Sequence, residues 1–396
     1  MLDLVTPSMP RAMLLDRQLL ERTRVRGERP PVTIVVGGCG AGRTERLRRV
    51  ERELGADRAQ YIDFERVATT PERCADAILR TSPFANPSSS TSGPAETPAG
   101  AREAFDAIIH ALMTARARDG GPATFLLDEV LDVRTFESFP GLRSAQAEIA
   151  RAIAHSPNHF VLATRFEARA RRFAAIEPTR FDVVRVEPLA TDAVQETLGG
   201  GPSDAENDLA ETVGLLVDGH AGYVRGLAGQ LAQLRSSGAT DAISAFAAAM
   251  APDGELAMRC RFSYELRLHR ARGYGALKAI LDVLAVDEPL TLTGIAQRLD
   301  RTPGSTKDYL TWLQDVDLIT CDRKRYRFSD PLVRLWVRIN RGPRVPDEDR
   351  IIGETRLYAL ARLQHAPRVP AYPAAGSRAP AAVSVGRPDS GIIEID

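Results

Sequence analysis

The residues with the most chemistry in this chain are Gly37-Gly38-Cys39-Gly40-Ala41-Gly42-Arg43-Thr44, which fit the spacing G-x-x-x-x-G-K-[ST] everywhere except at the lysine. Glycines at this spacing let successive backbone N–H groups curl around a phosphate, and a helix starting there adds partial positive charge. The hydroxyl of Thr44 stands where a Mg²⁺ ligand is expected. Gly37 through Glu45 are therefore the candidate nucleotide contacts. The competing reading is a tight strand-to-helix turn that holds nothing.

Asp128-Glu129 closes the apolar run Thr124-Phe125-Leu126-Leu127. Phosphoryl transfer needs a metal to neutralise charge and a group to orient the attacking water. Asp128 suits the metal, and Glu129 suits the water as the candidate catalytic carboxylate. Thr164-Arg165 ends the run Phe160-Val161-Leu162-Ala163, where a polar tip can sense a terminal phosphate. A solvated arginine among Arg169, Arg171 and Arg172 is the alternative.

Arg43 is the departure. Lysine is a compact point charge, whereas arginine is planar and larger, so the exchange at a snug phosphate site is not conservative. Either the arginine keeps a phosphate contact with reduced catalytic efficiency, or the loop has lost its nucleotide. Four glycines, Thr44, Asp128 and Glu129 together favour the first, with ATP and Mg²⁺ as cofactors and slow hydrolysis as the outcome.

Elements that can position these groups follow in order. Val32–Val36 is a β-branched run suited to a buried parallel strand, and Leu47, Val50 and Leu54 recur at helical spacing before Gly55. Tyr61–Phe64, Thr124–Leu127, Phe160–Ala163 and Phe181–Val186 are further strands. Strands alternating with helices predict an α/β fold, a mostly parallel sheet covered on both faces, over residues 31–186 after an entry segment 1–30. Residues 81–100, rich in Ser, Pro, Thr and Gly, read as a flexible loop within it. A helical lid is expected over 187–268. Three helices and a hairpin over 270–338 describe a winged helix-turn-helix, and 339–396 reads as mostly disordered, with one helix around Leu357–Leu363.

Composition sets limits on partners. The formal net charge is zero, so nothing global draws the chain to nucleic acid or anionic membrane. Of 52 Lys and Arg only three are lysine, which weakens any argument from a single surface arginine. Cys39, Cys74, Cys260 and Cys321 lack C-x-x-C spacing, so neither zinc nor a disulfide framework is indicated. No apolar run approaches the roughly 20 residues of a membrane span, and no signal peptide opens the chain. A cytoplasmic location without a membrane partner is expected.

Taken together, these residues resemble the archaeal-type ATPase family, a branch of the STAND class of AAA+-related P-loop NTPases, over roughly residues 12 to 338. Leu14-Leu15-Asp16-Arg17-Gln18-Leu19-Leu20 is similar to the family's entry motif F-V-x-R-E-x-E-L, which implies base contacts by Asp16 and Arg17, although the phenylalanine and one glutamate are replaced. Ala163-Thr164-Arg165 resembles the sensor-1 tip, and Glu187-Pro188-Leu189 the lead into the lid. Gly219-His220-Ala221-Gly222-Tyr223 resembles the lid motif G-H-P-x-Y, implying that His220 lies against nucleotide; Ala221 replaces the proline. The most specific likeness runs from Pro289-Leu290-Thr291 to Asp330-Pro331-Leu332, the family's winged helix and its exit.

The resemblance implies a regulatory switch in which ATP closes lid and winged helix onto the core, with a protein partner and oligomerisation in the ATP state as compatible outputs. Double-stranded DNA is a further candidate partner. Ser305, Thr306 and Lys307 open the recognition-helix candidate Thr302–Asp317, and Arg323, Lys324 and Arg325 sit at the hairpin tip, whereas Asp308, Asp315 and Asp317 dilute the positive face. A replication-initiator or transposition-type AAA+ DNA ATPase, and a catalytically dead DNA-binding or scaffold protein, are the alternatives. A nuclease is disfavoured, because Gly391–Asp396 resembles an acidic nuclease strand without the E-x-K that should follow; such an apolar-acidic tail suits strand addition instead.

Overall fold

The computed structural model describes residues 11–24, 30–84, 100–201, 203–236, 241–269, 273–342 and 344–364. Five strands form the central sheet: β1 (Val32–Val36), β2 (Ala59–Asp63), β3 (Thr124–Asp128), β4 (His159–Thr164) and β5 (Phe181–Arg185). Their order is β2-β3-β4-β1-β5, and every pairing is parallel.

The alternation of side chains along each strand explains why both faces are apolar. Val35, Leu126, Val161 and Ala163 pack with Leu47 and Val50 of the helix Arg43–Leu54. Ile34, Val36, Leu127 and Leu162 point the other way, into a core with Phe105, Ile108, Leu112, Ile149 and Ile153. The helix Pro71–Arg80 starts as expected, with the Thr70 hydroxyl accepting from Arg73 N–H and proline in the first turn. Most of the expected loop, residues 85–99, lies outside the described residues.

Chain order reverses between β4 and β1, so their carboxyl ends open a crevice of the kind in which α/β sheets bind ligands. The loop after β1, the acidic pair after β3 and Thr164-Arg165 after β4 all meet at this edge.

From Thr191 the chain is helical through Thr191–Thr197, Asp204–Leu216, Ala221–Ser236, Ala242–Ala249 and Glu255–Leu268. The helices Tyr274–Val286, Leu292–Arg298 and Pro303–Asp315 follow, with β6 (Leu290–Thr291), β7 (Ile319–Asp322) and β8 (Arg325–Phe328) in an antiparallel sheet of order β6-β8-β7. Lid and C-terminal module share one apolar core: Val213, Leu227 and Phe246 are continuous with Ile280, Leu310 and Leu335.

The helix expected around Leu357–Leu363 is longer, Glu348–Gln364, and buries Ile351, Thr355 and Ala359 against this same core. Its acidic first turn, Glu348-Asp349, favours a start there. Gly391–Asp396 lies outside the described residues. No described helix is long and apolar enough to cross a membrane.

Candidate nucleotide site

The loop from Gly37 to Gly42 turns through two left-handed glycines, Gly40 at φ 84° and Gly42 at φ 89°, before Arg43 starts the helix. At Gly40 a side chain is excluded for a second reason. A Cβ built there lies 3.3 Å from Gly222 Cα, and one built on Gly222 lies 3.1 Å from both Cα and the carbonyl oxygen of Gly40. The lid helix Ala221–Ser236 thus rests backbone-to-backbone on the loop tip, and Arg225 donates to the Gly40 carbonyl at 3.3 Å. Upstream, Leu189 N–H donates to the Gly219 carbonyl, which ties the Glu187-Pro188-Leu189 segment to the turn preceding His220.

Across the crevice, Asp128 is buried and collects three donors. Thr44 Oγ1 donates at 2.6 Å and Tyr61 Oη at 2.9 Å to Oδ2, while Glu129 N–H donates to Oδ1 at 3.1 Å. A threonine hydroxyl beside a carboxylate is a hard oxygen pair that suits Mg²⁺, an ion usually held by one or two carboxylates plus substrate phosphate and water. Arg48 lies over the Tyr61 ring at 3.5 Å, and burial followed by the Asp128 charge pushes the phenol upward, so it stays a donor. Nothing in the sequence marked Tyr61 beyond its place in β2.

Arg43 passes Gly37, its Cδ 3.6 Å from a Cβ position there, but its guanidinium is engaged by an acidic partner instead of standing free for a phosphate. Its Nη1 reaches Glu129 Oε1 at 2.6 Å, with both side chains buried. Glu129 itself sits in the left-handed region at φ 49°. Thr164 Oγ1 and Arg165 N–H donate to its other oxygen at 3.4 and 3.2 Å, and Arg165 Nε lies 3.1 Å from Oε1. Burial pushes this carboxyl up, yet Arg43 and Arg165 outweigh it and hold the group below the usual glutamate range. The physical reason is reach: a planar fork longer than lysine's useful span finds a buried carboxylate at the next strand end.

The space between loop, lid and C-terminal module is a cleft of about 320 Å³ lined by Gly37, Gly38, Arg165, His220, Arg267 and Asp330, among others. His220 Nε2 comes within 3.6 Å of a Cβ position on Gly38, and its ring packs on Tyr223 at 4.4 Å. Its Nδ1 is buried without a hydrogen bond. Burial holds the imidazole below its ordinary 6.5, with Arg259, Arg225 and Arg267 acting in the same direction against Asp330. Tyr223 Oη donates to Asp330 Oδ2 at 2.7 Å, linking the lid helix to the start of the helix Pro331–Asn340. Arg267, in the last turn of the helix Glu255–Leu268, is 6% exposed, and its Nε and Nη1 make no hydrogen bond. Sequence reasoning passed over it among the many arginines.

Other expected contacts lie elsewhere. Asp16 is buried between Arg46 and Arg49, each at 2.7 Å, and fastens the helix Arg11–Arg24 to the helix Arg43–Leu54, whereas exposed Arg17 pairs with Glu21 within its own helix; neither lines the cleft. Glu45 is exposed on the latter helix, 3.6 Å from Arg49. Among the nucleic-acid candidates, Thr306 is fully buried and donates to the Thr302 carbonyl, which removes it as a contact. Ser305, Lys307, Arg323, Lys324 and Arg325 are exposed, whereas Asp315 pairs with Arg172 at 2.6 Å and Asp317 accepts from Ala168 N–H, so the far end of that helix docks on the core.

No protein-family model matches the chain, and no curated protein matches it in sequence. Among solved structures it is similar to the Walker-type ATPase PABY2304 of Pyrococcus abyssi, with a TM-score of 0.60, 20% identity, and coverage of 82% of this chain and 95% of that one. The RuvB Holliday junction branch migration motor of Thermotoga maritima aligns at a TM-score of 0.38 and 12% identity, covering 80% and 90% of the two chains. The STAND protein PH0952 of Pyrococcus horikoshii, which has a tetratricopeptide repeat sensor, aligns at 0.31 and 16%, covering 87% and 46%. These last two overlays are too loose to argue from. With the glycine loop at the end of β1, the acidic pair at the end of β3 and the PABY2304 likeness, the chain has the fold of a Walker-type P-loop ATPase.

Proposed function

We propose that this protein is a nucleotide-operated switch of the archaeal-type, STAND-like kind, which binds ATP with Mg²⁺ and hydrolyses it slowly. The observation that carries the reading is the cleft itself: one space bounded at once by the loop glycines, the lid's His220 and the C-terminal module's Asp330. A ligand there contacts all three parts, so its identity can bias how they sit, and only a differential contact of this kind shifts a conformational equilibrium. The volume is in the usual range of ligand sites. Mg²⁺ at Thr44 and Asp128 would neutralise phosphate charge. Slow turnover follows from Glu129, which is engaged by Arg43 and Arg165 instead of being free to orient water.

Calorimetric titration of ATP and ADP, with and without Mg²⁺, tests the reading, alongside single-turnover phosphate release. Micromolar-range binding with turnover well below one per second is expected, against the roughly 1–100 s⁻¹ of kinases. Absence of binding to either nucleotide would remove it.

A second reading, double-stranded DNA as partner of a winged helix, retains one supporting observation. Arg323 and Lys324 stand exposed at the β7–β8 tip and make no ion pair among the described residues. Reversing both to glutamate should weaken any measured DNA affinity and reduce the salt slope by about 2, since each phosphate neutralised contributes roughly 0.9. Anisotropy that ignores the substitution sinks this reading.

A further inference from the structure

At the far side of the sheet from β5, β2 is an outer strand, and among the described residues only β3 pairs with it. Thr124 N–H donates to the Arg58 carbonyl, and successive peptide groups along a strand point to opposite edges, so the N–H groups of Tyr61 and Asp63 face outward. Such an edge is a template for another strand. A cleft of about 300 Å³ runs along it and reaches round both faces of the sheet. On one face Val67 and Ile78 belong to the apolar layer that holds Ile62, and Ala77 lies beside them. On the other, Arg48 lies over the Tyr61 ring, and its acidic neighbour Glu51, at 2.9 Å, is an exposed-helix pairing of small worth. Arg66 is exposed at the same cleft. The Asp63 carboxylate is engaged, accepting from Arg66 N–H to cap the turn Phe64–Val67.

A strand entering this edge must therefore be apolar on one face and acidic on the other. Alternation along Ile392-Ile393-Glu394-Ile395-Asp396 meets that demand: Ile393 and Ile395 share one face, whereas Glu394 and Asp396 share the opposite one with Ile392. We propose that Gly391–Asp396 adds to the outer edge of β2 of its own chain as a further strand, with Ile393 and Ile395 against Val67, Ala77 and Ile78, and with Glu394 and Asp396 against Arg48 and Arg66. Strand addition takes its affinity from main-chain hydrogen bonds and its selectivity from alternate side chains. The connection from Gln364 has roughly 26 residues, on the order of 85 Å when extended, so length does not prevent the docking. Tethering favours the chain's own groove over a neighbour's. The proposal is independent of nucleotide.

Amide hydrogen exchange on the full chain, read at Tyr61 and Asp63 without ligand, tests it. Replacing Ile393 and Ile395 together by lysine should speed exchange at both amides by about ten-fold, the weight of one main-chain hydrogen bond, and leave β3 and β4 unchanged. Arg48→Glu should loosen the same two amides, and combining it with Glu394→Arg and Asp396→Arg should restore their protection. Equal exchange in wild type and in the Ile393→Lys, Ile395→Lys variant would overturn the proposal. Protection that grows with protein concentration, together with a doubled mass in light scattering, would assign the strand to a neighbouring copy and overturn docking within one chain. A charge swap that restores nothing would overturn the facing given to Glu394 and Asp396.

Discussion

The guanidinium of Arg43 and the carboxylate of Glu129 are 2.6 Å apart, and both side chains are buried. The residue at the lysine position of the phosphate loop therefore neutralises the carboxylate that should orient water. Replacing Arg43 by lysine shortens the reach and frees Glu129 from one of its two arginines. Turnover should rise on the order of ten-fold or more, within the range that a positioned acid–base group contributes. Phosphate release measured under ATP saturation checks this; an unchanged rate would show that the pair does not limit hydrolysis.

The same pair has a cost when broken on one side only. Arg43→Ala leaves Glu129 buried with Arg165 still beside it. The expected loss is about 1–3 kcal/mol, less than the roughly 3–5 kcal/mol of a fully abandoned buried charge. Urea unfolding at pH 7 measures it.

Acid should reveal Glu129 as well. Its folded value lies below the ordinary 4.5, so the unfolded chain binds its proton first as pH drops. The stabilisation is complete above about pH 4.5 and is lost as pH falls through the depressed folded value. Glu129→Gln should flatten the stability profile below pH 4.5. A profile as steep as wild type's would assign the acid sensitivity to other carboxylates.

His220 has the opposite sense of linkage to its ligand. Burial holds it below 6.5, and a phosphate arriving beside it favours the protonated ring. ATP binding near pH 6 should therefore take up protons, detected as binding heats that vary with buffer ionisation enthalpy. His220→Asn should remove that dependence.

Tyr61 gives a metal-specific readout. Its hydroxyl fixes the Asp128 oxygen that also receives Thr44. Tyr61→Phe should raise the Mg²⁺ concentration needed for half-maximal ATP binding by about five- to ten-fold, the effect of one hydrogen bond to a charged group, and leave Mg²⁺-free binding unchanged. Equal shifts with and without Mg²⁺ would point to general damage to the sheet edge.

Local chemistry made the core legible in advance. The β-branched run before Gly37, the glycines through Gly42 and the acidic pair after Leu127 depend on neighbours in sequence, and the parallel sheet brings them to one edge as their order requires. Long-range side-chain direction was not legible. Asp16 fits an entry motif, but Arg46 and Arg49, on the adjoining face of the next helix, draw it away from the cleft. Arg43 stands at the phosphate-contact position of its motif, but a partner 86 residues away claims it. Arg267 is one arginine among dozens until packing buries it above Gly38. Sequence alone determined where a phosphate could be cradled, because backbone conformation is set locally by glycine. Tertiary structure decided which cation faces that cradle, because a long, flexible guanidinium goes to whichever buried charge the packing brings within reach.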